Sequence, residues 1–158
     1  EISNVVVASS ASNCDAFHMT QPDFSAKMAV NCIENALKRA GMCGVDYVNL
    51  HGTGTQANDK MEAKAVNLTL GATFASTLKP QIGHTLGAAG AIESAICAML
   101  CMEENSTLPP HVYDGEYDES LEAINLVKSG TKFDVKTAMS LSFAFGGDNA
   151  AIIFKRVR

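Results

Sequence analysis

The chain has 158 residues, 47% hydrophobic and 18% charged, a balance that lets one globular domain bury a core. Its formal charge of −5, with no basic cluster along the sequence, argues against a DNA or RNA binder and leaves any polyanionic partner only a local basic surface. Five cysteines, an odd number without a C-x-x-C pair, argue against a disulfide framework or zinc site, and no signal peptide or bilayer-length apolar run is present, so the expected location is cytoplasmic.

The sequence begins at Glu1 and runs almost at once into Val5-Val6-Val7, so it reads as a single domain, residues 1–158, cut from a longer chain just before a core strand. Residues 5–8 read as a buried strand and 12–23 as a polar loop. Residues 24–40 have helical spacing, with Phe24, Met28, Cys32, Ala36 and Ala40 four apart, Pro22-Asp23 as a start and Gly41 as a stop. A short strand at 47–50 ends at His51. Residues 59–70 read as a helix with Asp59 as N-cap, Glu62 three residues on as its capping-box partner, and Gly71 as terminator. A brief strand at 73–76 leads into a loop at 77–83, and residues 86–104 form a helix apolar nearly all round, hence buried. Residues 108–132 read mostly as loop, with a strand at 124–127, and strands at 138–141 and 150–155 close the chain. The expected class is α/β, a mixed β-sheet covered by helices.

Three segments stand out chemically. His51-Gly52-Thr53-Gly54-Thr55 follows a buried strand, where α/β folds place functional groups; glycines permit close backbone approach and threonines supply hydroxyls. A lone histidine there would be an ordinary turn residue, but five such residues in succession favour a site. Lys79 lies five residues before His84, which stands at the start of the apolar helix, where the helix N-terminus favours a neutral imidazole. Ser142-Phe143-Ala144-Phe145-Gly146-Gly147 joins two strands, either as a tight connection or as a loop whose N–H groups face a reacting oxygen. No P-loop, G-x-S-x-G elbow or metal-ligand spacing accompanies them.

Together with Asp15-Ala16-Phe17-His18-Met19-Thr20 and Gly87-Ala88-Ala89-Gly90, these segments resemble the C-terminal half of the β-ketoacyl-(acyl carrier protein) synthases, condensing enzymes of thiolase fold, in the elongating Cys-His-His branch. The resemblance implies a thiolase-like half and a decarboxylative Claisen condensation: an acyl group is held on a cysteine, and the enolate from malonyl-carrier protein attacks it. That cysteine belongs to the N-terminal half; none of Cys14, Cys32, Cys43, Cys97 and Cys101 matches its motif. It implies that His51 and His84 donate to the enolate, that Lys79 pairs with Glu93, and that Thr53 and Thr55 bind the phosphopantetheine arm. It further implies a backbone donor at Phe143, a gate at Phe145, and a mobile loop carrying Asp15 and Thr20. Asp59 and Glu62 also match family positions but read first as a helix cap.

The implied partners are an acyl carrier protein, the chain's own N-terminal half, and a second synthase subunit in a homodimer or heterodimer. No nucleic acid, membrane insertion, metal or resident cofactor is implied, because phosphopantetheine arrives on the carrier. Ala144, where elongating synthases commonly carry Gly, and Pro80, where a small polar residue is usual, are departures; Pro80 with Gly83-His84-Thr85 leans toward synthases of aryl polyenes or similar chains. One rival is a non-catalytic, chain-length-factor-like subunit, against which the retained His51, His84 and Lys79 argue. Another is a thiolase using coenzyme A, whose C-x-G motif is missing. A half taken alone should be inactive and expose an apolar face.

Overall fold

The computed structural model describes residues 4–157. In chain order the elements are β1 (Val5–Cys14), α1 (Lys27–Ala40), β2 (Tyr47–Asn49), α2 (Gln56–Leu70), β3 (Phe74–Ser76), α3 (Lys79–Ile82), α4 (Ala89–Met102), β4 (Ser106–Thr107), β5 (Asn125–Leu126), β6 (Lys132–Phe133), β7 (Thr137–Phe143) and β8 (Asp148–Arg156). Six strands form one mixed sheet in the order β1-β8-β7-β2-β3-β5. The β1-β8-β7 side is antiparallel and the β7-β2-β3-β5 side parallel. β4 and β6 form a separate antiparallel pair.

Alternation along β7 explains the layers. Met139, Leu141 and Phe143 join Cys32, Ile33 and Leu37 of α1 and Met61 and Val66 of α2 in one apolar cluster. Ala138, from the opposite face, packs with Tyr47, Phe154 and the α4 residues Cys97, Leu100 and Cys101 in a second. The sheet is thus covered on both faces, as its parallel strands require. α4 has a buried side and a bare one: Met99 and Met102 are exposed, as is Leu86 just before it.

Several boundaries differ from the sequence expectations. β1 runs through Cys14 because its Ser-rich second half pairs with β8 and ties into α1. Ser9 Oγ donates to Ala36 O at 2.6 Å, and Arg39 Nη1 to Ser10 O at 2.7 Å. Strand propensities span only about 1 kcal/mol, so such tertiary bonds override them. α1 starts at Lys27 rather than Phe24, since Asp23 caps a turn instead: its carboxylate accepts from Ser25 N and Oγ, and Ala26 sits at φ +60°. The N-cap of α2 is Thr55, not Asp59; Thr55 Oγ1 accepts from Asn58 N. Lys79–Ile82 is a short helix with Pro80 in its first turn, where the missing N–H costs nothing. The apolar helix expected at 86–104 is split into a 3-10 turn at Leu86–Ala88 and α4.

Candidate active site

β2 and β3 are adjacent parallel strands, and their ends deliver the two basic loops side by side. His51 follows β2 and Lys79 follows β3. The His51 and His84 rings meet edge to face at 5.6 Å between centroids, and Phe143, at the end of β7, lies 6.1 Å from His51 in a similar T-shape. Lys79 and Glu93 are both buried, and Lys79 Nζ contacts Glu93 Oε1 at 2.5 Å. Thr53, Lys79 and His84 line one cavity of about 410 Å³. The structure therefore brings His51, His84, Lys79, Glu93, Phe143 and Thr53 together, with Thr55 Oγ1 3.0 Å from Thr53 Oγ1.

Asp15, Thr20 and Phe145 form a neighbouring cluster. Asp15 N donates to Gly147 O at 2.9 Å and Gly146 N to Met19 O at 2.8 Å, so the 15–20 loop and the 145–147 turn are bonded together. Gly147 sits at φ +86°, a left-handed conformation that favours glycine, and the Asp15 carboxylate packs against it. Thr20 is exposed, its N–H held by His18 Nδ1. Phe145 is 78% exposed, so little packs against its ring.

The imidazoles differ in their surroundings. Leu86 N donates to His84 Nδ1 at 3.1 Å, so the ring proton of a neutral His84 lies on Nε2. Burial, then Lys79, then His84 push the His51 pKa down to about 4. His51 Nδ1 is buried and has no hydrogen-bond partner among the described residues. For Glu93, burial raises the carboxyl pKa while Lys79 opposes the rise.

Glu62, read from sequence as a capping residue, does something else. It is 2% exposed, and its carboxylate accepts from His51 N at 2.7 Å, Gly52 N at 2.8 Å and Asn58 Nδ2 at 3.0 Å. Burial pushes its pKa up to about 7 against the pull of those donors. Asp59, half-buried beside it, accepts from Asn58 Nδ2 at 3.2 Å, and burial raises its carboxyl as well. Glu62 thus fixes the backbone that carries His51.

The His51 shift predicts a titration. His51 should stay neutral from pH 8 to about 5 and charge only near 4; ring chemical shifts followed by NMR check this, and a midpoint near 6.5 contradicts it. The unfolded chain binds the His51 proton between pH 6.5 and 4 while the folded chain does not, so this group's stability contribution is lost as pH falls through that window. Glu62 acts oppositely. Its folded form holds a proton between about 4.5 and 7, so its contribution is lost as pH rises through that range.

Three cysteines lie in the core. Burial pushes the Cys32 and Cys101 thiols up to about 11 and raises Cys97 further, which makes them poor nucleophiles. Cys14 and Cys43 are exposed, and Cys14 Sγ lies 3.3 Å from Gly146 O.

The pattern of the "Beta-ketoacyl synthase, C-terminal domain" family matches residues 4–113. The chain is 39% identical over 149 residues, 90% of its length, to the 3-oxoacyl-[acyl-carrier-protein] synthase 2 of Coxiella burnetii, covering 36% of that protein. To the enzyme of the same name from Rhizobium meliloti it is 41% identical over 149 residues, 90% of this chain and 34% of that one. It spans about a third of the length of these curated relatives. Among solved structures, a ketosynthase in complex with its chain length factor from Xenorhabdus doucetiae superposes with a TM-score of 0.90 at 35% identity, over 99% of this chain and 40% of that one.

Proposed function

The chain belongs to the β-ketoacyl synthase family as its C-terminal, thiolase-like domain, and on that premise we propose that it supplies the basic half of a decarboxylative condensing site. The observation that carries this reading is the packing of two imidazoles against each other beside the buried Lys79–Glu93 pair. Loss of carbon dioxide from a malonyl thioester leaves an enolate, a developing oxyanion that neutral donors stabilise without a proton changing hands. His84, with its proton on Nε2, and His51, kept neutral by burial, are those donors. Lys79, paired with Glu93, holds the loop between them in place, and its ammonium adds to burial in keeping His51 neutral. The reacting cysteine comes from outside this chain, in the remaining two thirds of a synthase as long as its relatives.

Thr53 and Thr55 bind the phosphopantetheine arm, the Phe143 backbone faces the acyl thioester oxygen, and Phe145 with the Asp15–Thr20 loop gates access. The partners are an acyl carrier protein, the N-terminal half, and a second subunit. The N-terminal half covers the bare side of α4, where Leu86, Met99 and Met102 are exposed. The pathway is fatty acid, polyketide or aryl polyene elongation in the cytoplasm; among the described residues no helix is long and apolar enough to cross a membrane.

The likeness to a ketosynthase solved with its chain length factor favours one second reading, a non-catalytic subunit of such a pair. The residue at the nucleophile position of the complete gene decides between them. Cysteine there, with condensation of acyl and malonyl thioesters by the purified synthase, supports the enzyme; any other residue, with no turnover, supports the subunit.

A further inference from the structure

Thr77 is 3% exposed and sits between the two basic loops. Its Oγ1 donates to Gly52 O at 3.2 Å, next to His51, and accepts from Lys79 N at 3.3 Å. Its own N–H is directed at His111 Nδ1, 3.4 Å away. His111 is anchored in turn by its N–H to Val127 O at 2.9 Å. Gly52 lies at φ +46°, and a Cβ there would fall 2.4 Å from Thr77 Cβ, so the two backbones approach as closely as glycine allows. Glu62 binds the N–H of the same Gly52 whose carbonyl Thr77 holds.

We propose that Thr77 is a positioning residue for the condensation step: its hydroxyl locks the His51 loop to the Lys79 loop and so fixes the distance between the first imidazole and the Lys79–Glu93 pair. The proposal rests on the reading of His51 and Lys79 given above. A hydroxyl is required because it must donate to one loop and accept from the other at once, which no apolar side chain can do. His51 has no side-chain bond at Nδ1 among the described residues to hold its ring, so its aim depends on its backbone. Glu62 fixes that backbone on one side and Thr77 on the other. Releasing one side lets the ring drift by a fraction of an ångström, enough to weaken a bond to a transition-state oxygen. The acyl-loading step needs no enolate donor and is untouched.

The test uses the complete synthase with Thr77→Val, which keeps the shape and loses the hydroxyl, and Thr77→Ser, which keeps the hydroxyl. Thr77→Val is expected to lower kcat for condensation about 10- to 100-fold, with KM and the rate of acyl loading within about twofold of the parent. Thr77→Ser is expected to restore most of kcat. If Thr77→Val condenses at the parental rate, or if Thr77→Ser fails equally, the positioning role is overturned. A fall of loading and condensation together overturns it too, since that marks Thr77 as support for the fold alone. A parent enzyme that does not condense overturns instead the reading of His51 and Lys79.

Discussion

His84→Ala in the complete synthase is expected to lower the rate of condensation about 100- to 1,000-fold, the usual cost of removing one oxyanion donor, equivalent to about 2.7–4 kcal/mol of barrier. His84 accepts from Leu86 N at Nδ1, so the only proton its neutral ring can offer is on Nε2. Alanine removes that donor and leaves the Leu86 N–H to solvent, because His84 is exposed at the cavity wall. The effect should therefore fall on kcat for carbon–carbon bond formation rather than on folding. His84→Gln, which restores a neutral donor at the end of a longer chain, should recover part of the rate. Steady-state turnover with malonyl-carrier protein checks both. A rate for His84→Ala within about threefold of the parent contradicts the donor role.

The second large effect is on stability. Lys79→Met should destabilise the chain by about 3–5 kcal/mol, because it leaves Glu93, 1% exposed, buried without its partner. Burial already raises the Glu93 pKa, and without Lys79 it rises further. The folded variant then binds a proton that the unfolded chain gives up above the ordinary carboxylate range. Its deficit should grow as pH rises and shrink toward pH 5. Lys79→Met combined with Glu93→Leu should recover most of the loss, since an apolar pair has no desolvation to offset. Urea denaturation at pH 5 and pH 8 measures this. A single variant within about 1 kcal/mol of the parent, or a double variant no better than the single, contradicts the buried ion pair.

Much of the site was legible because its residues lie in runs. His51-Gly52-Thr53-Gly54-Thr55 and the stretch from Lys79 to His84 each announce themselves along the chain, and β2 and β3 then bring them side by side. The Glu93 pairing came from the family resemblance, and the structure shows the contact. What was missed depends on contacts between distant segments. Glu62 stands three residues after an acidic residue at an apparent helix start, the spacing of a capping box, so its reach back to His51 and Gly52 was hidden. The cap itself, Thr55, reads in the sequence as a ligand residue. Thr77 and His111 are unremarkable in sequence, 34 residues apart, and acquire meaning only where the two loops meet.

The fold followed the same rule. Strands written as short apolar runs are legible at nearly the right places, whereas Ser12 to Cys14 reads as loop because small polar residues carry no period that shows sheet pairing. The short β4–β6 pair has two residues on each side, too little to leave a periodic trace.

The central claim is that this chain holds the enolate-stabilising half of the site while the nucleophile lies outside it. It is tested most directly by loading the complete synthase with an acyl thioester and locating the adduct by mass spectrometry, in the parent and in the His51→Ala, His84→Ala double variant, while carbon dioxide release from malonyl-carrier protein is followed in parallel. The account predicts an acyl group on a cysteine outside these 158 residues in both proteins, with carbon dioxide release abolished only in the double variant. An adduct on Cys14, Cys32, Cys43, Cys97 or Cys101, or decarboxylation by the double variant at the parental rate, would contradict it.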